Sequence, residues 1–282
     1  PYPPRNAGLG LQPTTSLDSP ITSVFLVLFI LGAATHMTIF QLNLRRGRKF
    51  IMSGMVFGFC MARILACTMR LVWASHPRNV SVAIAAQIFV AVGVIIFFII
   101  NVVFVQRLFR ASHPQLGWAK WFSLLFKMYY ASVIFVIIIL ITGVIQSFYT
   151  LRPGILHNDR ILLLFGSTYF AAAAFLPVPL LALRAVLPTH GPREDFGEGR
   201  FNTKVIILLI SSIVLTLGAA FRAGTSYLPR PASDPAWYQS KACFYLFNFT
   251  IDFSMVVFYA VMRVDKRFIV PNGSHGPGDY SR

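Results

Sequence analysis

The chain has 282 residues, of which 56% are hydrophobic and only 12% are charged, and its formal net charge is +16. Soluble domains usually carry about 25% charged residues, so in water this chain would expose far too much apolar surface. The basic residues fall in short clusters between long apolar runs, a pattern that argues against nucleic acid as a partner and favours anionic membrane lipids.

Seven apolar stretches are long enough to cross a membrane, which takes roughly 20 residues of helix. They predict transmembrane helices at residues 20–44, 50–73, 81–106, 128–149, 160–187, 204–227 and 242–263. The linkers are short and polar, so no globular domain fits between the helices. The sequence therefore predicts an all-α integral membrane protein with a seven-helix bundle at residues 20–263. Residues 1–19 form a terminal segment, and residues 264–282 form a tail.

The distribution of lysine and arginine predicts the orientation, because cytoplasmic loops carry an excess of both. Three basic residues lie within or close to helices and are set aside. The first, third and fifth linkers and the C-terminal tail then hold fifteen basic residues, against seven on the opposite side. We therefore predict an extracellular N-terminus and a cytosolic C-terminus, in the plasma membrane or an endomembrane.

Small residues at four-residue spacing let helices approach closely in lipid. The second helix carries Gly54 and Gly58, and the sixth repeats the spacing at Ser212, Thr216, Ala220 and Gly224. This pattern favours tight packing inside one bundle. The alternative is a homodimer that forms through Gly54 and Gly58.

Two charged residues fall at equal depth within the predicted membrane core. Arg63 and Asp252 each lie ten residues from the outer end of their helix, and pairing would offset the cost of burying either charge alone. We expect them to meet across the bundle, with Asn248 completing the hydrogen bonds. Both could instead face a water-filled cavity, or Arg222 could be the partner. Arg70 lies nearer the outer boundary, where its side chain could reach the interface.

Other polar side chains are scattered along the helices, at His36, Gln87, Asn101 and Gln146. For each of them an interhelical hydrogen bond competes with a ligand contact as the interpretation. Pro177 and Pro179 remove backbone donors and should kink the fifth helix.

Motifs that carry catalysis are missing from the sequence. It contains no HExxH or clustered histidine box and no glycine-rich phosphate loop. No acid, nucleophile and base converge. We therefore expect neither enzymatic activity nor a cofactor or bound metal.

Three stretches carry a family resemblance: residues 50–70 (FIMSGMVFGFCMARILACTMR), 221–227 (FRAGTSY) and 237–252 (WYQSKACFYLFNFTID). In these the chain resembles a fungal family of seven-helix proteins of unknown function. It is more remotely similar to the fungal lipid-translocating exporter-like family, which is linked to resistance to toxic sterols and lipids. That family has a Phe-Arg pair late in its sixth helix, here Phe221 and Arg222. The glutamate that usually follows the pair is absent.

Two functions remain open at this level. The first is a transporter-like protein that handles a lipid or a small amphiphilic ligand, with an interior lined by Arg63, Arg222 and Asp252. The alternative is a receptor-like sensor, in which the same interior binds a small ligand and the third and fifth linkers meet a cytosolic partner.

Overall fold

The structure, a computed structural model, describes residues 1–2, 6–189 and 193–281. Its seven long helices are α1 (Asp18–Arg45), α2 (Ile51–Ser75), α3 (Val80–Ser112), α4 (Lys120–Tyr149), α5 (Pro153–Val186), α6 (Phe201–Tyr227) and α7 (Lys241–Val261). Each is long and apolar enough to cross a membrane. The predicted all-α bundle of seven membrane-spanning helices is confirmed.

Two helices begin well before the positions that hydropathy predicts. α4 starts at Lys120 rather than at residue 128, and α5 starts at Pro153 rather than at residue 160. A helix satisfies its backbone hydrogen bonds internally and can continue beyond the hydrocarbon region. Hydropathy marks only the apolar part of such a helix. Proline in the first turn of α5 suits its missing N–H group.

Three of the long helices are irregular. α3 is interrupted at Val94 and α5 at Leu176, directly before Pro177. The interruption at Leu176 lies where the prolines predict a kink, since proline offers no N–H group to the helical ladder. α7 contains a π-helical turn at Tyr245–Thr250, a wider turn that is found frequently at functional sites. The break in α3 and the widened turn in α7 both lie beside the buried charges described below.

Aromatic rings fill the space between α1, α2, α3 and α7. The ring of Phe59 lies 6.1 Å from Phe29 and 4.6 Å from Phe97, and Phe97 lies 5.2 Å from Tyr259, all edge to face. These side chains are buried. Rings in this geometry contribute beyond their buried area, and they fix the helices around the polar interior.

The predicted packing role of Gly58 is wrong. Gly58 is exposed on α2, and a Cβ added there would meet nothing within 4 Å. The buried Arg63 fixes the inner face of α2, and five residues along a helix rotate the chain by about 140° away from it. Gly54 does contact a neighbour, with the Phe40 ring 3.5 Å from its added Cβ. The homodimer through both glycines stays a prediction.

Close approaches of α7 to its neighbours occur at other glycines. Of the four small residues predicted to pack on α6, Ala220 and Gly224 are exposed. A Cβ added to Gly218 would lie 3.1 Å from the Phe247 carbonyl oxygen in the π-helical turn of α7. On α1, a Cβ added to Gly32 would lie 2.9 Å from Val256. Glycine at both positions lets α7 approach its neighbours.

The two terminal segments pack at opposite ends of the bundle. Near the N-terminus, the Gly10 N–H donates to the Gln239 carbonyl oxygen at 2.9 Å, in the linker before α7. In the C-terminal tail, Asn272 Nδ2 donates to the Gly47 carbonyl oxygen at 2.7 Å, in the linker after α1. An odd number of spans requires this arrangement. Which end faces the cytosol stays a prediction, as do the boundaries of the terminal segments.

Candidate functional site

Arg63 and Asp252 form an ion pair in the centre of the bundle. Nη2 of Arg63 contacts Oδ2 of Asp252, and both side chains are 0% exposed. The predicted contact between these two residues is confirmed. Full burial rules out the alternative in which both face a water-filled cavity. Oδ1 of Asp252 has no hydrogen-bond partner among the described residues.

The break in α3 supplies further partners for Arg63. Nη1 donates to the Val90 carbonyl oxygen at 2.9 Å and to that of Phe89 at 3.4 Å. Val90 lies in the last turn of the first α3 segment, where carbonyls lack helical partners and carry partial negative charge. The rings of Phe59 and Phe249 lie within 6 Å of the guanidinium group. Arg63 is therefore held firmly in place.

Arg222 adds a second guanidinium group beside the pair. Its Nη1 donates to Oδ1 of Asn248 at 3.2 Å, and Nδ2 of Asn248 donates to the Phe244 carbonyl oxygen at 3.0 Å. Asn248 thus binds Arg222, and the expectation that it completes the bonds of Arg63 and Asp252 is wrong. The widened turn of α7 directs Asn248 towards α6. Among the described residues no carboxylate lies within salt-bridge distance of Arg222.

Arg70 belongs to a second buried charge cluster. It lies about two helical turns from Arg63 along α2, towards the N-terminal segment. Its Nη2 donates to Oδ1 of Asp18 at 2.7 Å and to the Gly10 carbonyl oxygen at 3.0 Å. Lys241 Nζ lies 2.5 Å from Oδ2 of Asp18, and the Tyr245 hydroxyl donates to Oδ1 at 2.9 Å. The expectation that Arg70 extends to the interface is therefore wrong, because its side chain is 4% exposed.

Sequence reasoning missed Asp18 as a partner because it assigned this residue to the terminal segment. α1 begins at Asp18, so the carboxylate lies in the first turn of a membrane-spanning helix. An acid directly before an apolar run was the available signal, since acids favour the first turn of a helix. Its distance of 52 residues from Arg70 gave no indication of the contact.

The remaining predicted site residues lie outside the two charge clusters. His36 is buried, and its Nε2 lies 3.0 Å from the Val256 carbonyl oxygen, which links α1 to α7. Gln87 is half-buried on α3, and no hydrogen bond in the described structure joins it to either cluster. Asn101 contacts Ser211, Ser212 and Tyr259 in a separate buried network. Gln146 is exposed.

Charge is unevenly balanced across both clusters. Asp252 contacts Arg63 and lies near Arg222 without contact, whereas Asp18 contacts both Arg70 and Lys241. Guanidinium groups bind carboxylate and phosphate through paired hydrogen bonds, so the interior is suited to an anionic group. In the described ranges no three His, Cys, Asp or Glu side chains are grouped to hold a metal ion.

The fold and its buried charges define a multi-pass, seven-helix membrane protein. Residues 190–269 match the model of a family described as "Protein of unknown function (DUF3112)". The matched range contains α6, Arg222, Asn248 and Asp252, whereas Arg63 lies outside it. No curated protein and no solved structure matches the chain.

Proposed function

We propose that this protein handles an anionic lipid or amphiphile within the membrane, with Arg222 as the residue that receives the anionic group. One observation carries the proposal. Arg222 is a half-buried cation inside a membrane-spanning helix, and its only side-chain partner in the described structure is the neutral Asn248. A cation at such a position is costly and marks a functional pathway.

The location of Arg222 suits a ligand that arrives from the bilayer. α6 ends at Tyr227, so Arg222 lies five residues inside it, about 7.5 Å along the helix axis. The rings of Phe221 and Phe247 stack at 3.8 Å beside it. An amphiphile can therefore place its anionic group on the guanidinium and its apolar part against these rings.

The neighbouring ion pair of Arg63 and Asp252 favours an anion as the ligand of Arg222. Arg63 and Arg222 both act electrostatically on Asp252, and the single carboxylate leaves one positive charge in excess. An anion at Arg222 balances that charge in a partly buried region, where water screens charges less than at the surface. The resemblance of the Phe221-Arg222 pair to the lipid-translocating exporter-like family agrees with this class of ligand.

Irregular turns lie next to these charges, at places where the helices would change shape if a ligand moved past them. The α3 break at Val94 follows the carbonyls that hold Arg63, and the π-helical turn Tyr245–Thr250 holds Asn248. A π-helical turn of this kind is found frequently at functional sites. A ligand at Arg222 would act on the α7 turn directly.

Translocation of a labelled lipid tests the proposal. Purified protein is reconstituted into phosphatidylcholine vesicles with a trace of fluorescent phosphatidylserine, and dithionite reports the fraction of label that reaches the outer leaflet. We expect faster exchange than in protein-free vesicles, and loss of that gain in Arg222→Gln. Arg230→Gln is the matched control, because Arg230 is an exposed arginine in the linker after α6.

Equal exchange in protein-containing and protein-free vesicles would contradict the proposal. Saturable binding of the labelled lipid without any exchange would favour the receptor-like sensor. An equal loss in Arg222→Gln and Arg230→Gln would show that the effect reflects surface charge rather than the site.

A further inference from the structure

A further polar site lies at the end of the bundle opposite to Arg222 and the N-terminal segment, in a cleft between α1 and the end of α7. The cleft has a volume of about 300 Å³, which is at the small end of ligand pockets. From this cleft we infer a binding site for the headgroup of an anionic phospholipid, separate from the site at Arg222. The volume accommodates a headgroup, while the acyl chains remain in the bilayer.

Cations dominate the polar lining of the cleft. Arg46, directly after α1, and Arg263 and Lys266, after α7, line it together with one carboxylate, that of Asp265. The lining therefore carries an excess of two positive charges. Among the described residues no carboxylate pairs with Arg46, and Lys266 has only a partly exposed contact with Glu198 at 3.7 Å. Exposed contacts of this kind contribute little, so two cations are available for a ligand.

Asp265 holds the third cation in a fixed position rather than neutralising the cleft. Its carboxylate is buried and accepts bonds from Arg263 at 3.0 and 3.1 Å and from Asn43 at 3.0 Å. Burial alone would raise the pKa of Asp265, but the hydrogen bonds from Arg263 and Asn43 outweigh it and hold that pKa below its usual value. The carboxylate stays charged and orients the Arg263 guanidinium.

The backbone at Arg263 is also unusual. Its φ of 46° lies in the left-handed region, which glycine adopts readily and other residues adopt at a cost. Helices commonly end on a glycine in this conformation. Here an arginine has this conformation, two residues after the end of α7, and its side chain lines the cleft. Glycine would serve the turn better, so the arginine indicates a role for the side chain.

Apart from Thr35 and Asn43, the rest of the cleft lining is apolar, and this favours a lipid over a free anion. Ile39 and Leu42 of α1 and Ala260 of α7 continue the lining towards the membrane-spanning region. Leu42 is 46% exposed on that surface. The predicted orientation places this end at the cytosolic leaflet, which carries the anionic lipids. A headgroup phosphate beside Arg46 with an acyl chain along Leu42 fits both parts of the lining.

Lipid retention by the purified protein tests this site. Native mass spectrometry measures binding of phosphatidylserine and phosphatidylcholine to the detergent-solubilised wild type and to the double variant Arg46→Gln/Lys266→Gln. A cation near an anionic lipid contributes about fivefold to affinity, so we expect phosphatidylserine affinity to fall about 25-fold. Arg45→Gln is the matched control, because Arg45 precedes Arg46 and does not line the cleft.

Arg45→Gln should retain phosphatidylserine binding within about twofold of the wild type. Because Arg222 is itself proposed to bind an anionic lipid, the comparison is repeated in an Arg222→Gln background. The double variant should cause the same loss there, since this site does not depend on the function proposed for Arg222. Equal affinity for phosphatidylserine and phosphatidylcholine would overturn the inference. So would an equal loss in Arg45→Gln. Displacement of the bound lipid by millimolar inorganic phosphate would also overturn it, because the apolar lining would then contribute nothing.

Discussion

The ion pair between Arg63 and Asp252 predicts a strong coupling in stability. Both side chains are fully buried, and removal of one member of such a pair costs about 3 to 5 kcal/mol. The Coulomb attraction between two opposite unit charges about 4 Å apart, at an effective dielectric constant of about 20, is about 4 kcal/mol. This value agrees with that range. We expect Arg63→Met and Asp252→Asn each to lower the free energy of unfolding by this amount. The double variant should lose about 2 to 3 kcal/mol less than the sum.

The two single losses should also differ. Arg63→Met leaves Asp252 with the nearby Arg222, whereas Asp252→Asn leaves two guanidinium groups without a carboxylate and should be the more harmful change. Unfolding by SDS in mixed micelles measures each loss. The exposed pair Arg230 and Asp234, 3.7 Å apart, is the matched control, with an expected coupling below about 1 kcal/mol. Additive losses in the buried cycle, or equal coupling in both cycles, would refute this reasoning.

Three further predictions concern packing, topology and pH. Gly218→Val should lower thermal stability in detergent, because its Cβ meets backbone at 3.1 Å, whereas Gly58→Val should be tolerated; the reverse order would contradict the assigned faces. In a background without the native cysteines, Asn79→Cys should react with an impermeant thiol reagent on intact cells and Gly47→Cys only after permeabilisation, and the opposite pattern would invert the orientation. Because folding lowers the pKa of Asp265, its charged carboxylate stabilises the fold at pH values above the ordinary aspartate pKa. This contribution is lost as the pH falls through the lowered pKa of the folded state. The melting-temperature difference between wild type and Asp265→Asn should therefore shrink at acidic pH, and a constant difference would exclude this contribution.

The range that matches the family model, residues 190–269, contains only part of the site. It contains Arg222, Asn248 and Asp252, while Arg63 and Arg70 lie on α2, outside it. The residue proposed to receive the anion and the neighbouring carboxylate thus come from one stretch of chain. The cation that holds the carboxylate comes from the other half of the bundle. A conformational change at α7 would consequently alter the balance between the two arginines.

Sequence alone determined what depends on position along a helix. The apolar lengths predicted all seven spans, and the proline pair predicted the break in α5. Depth also follows from residue number at 1.5 Å per residue, so the contact between Arg63 and Asp252 could be predicted. The positions of Arg222 and Asn248 as polar intramembrane residues were equally readable, although their direct bond was not.

Tertiary structure decided what depends on rotation about each helix and on contacts between distant segments. These helices are apolar on most faces, so the pattern of side chains does not reveal which face turns inward. Gly58 was for that reason assigned to the interior although it lies outside. Asp18 reaches Arg70, and Asp265 reaches Asn43, only because the folded bundle brings the ends of different helices together. The cleft at Arg46 forms from two helix ends more than 200 residues apart, and no local pattern encodes such a site.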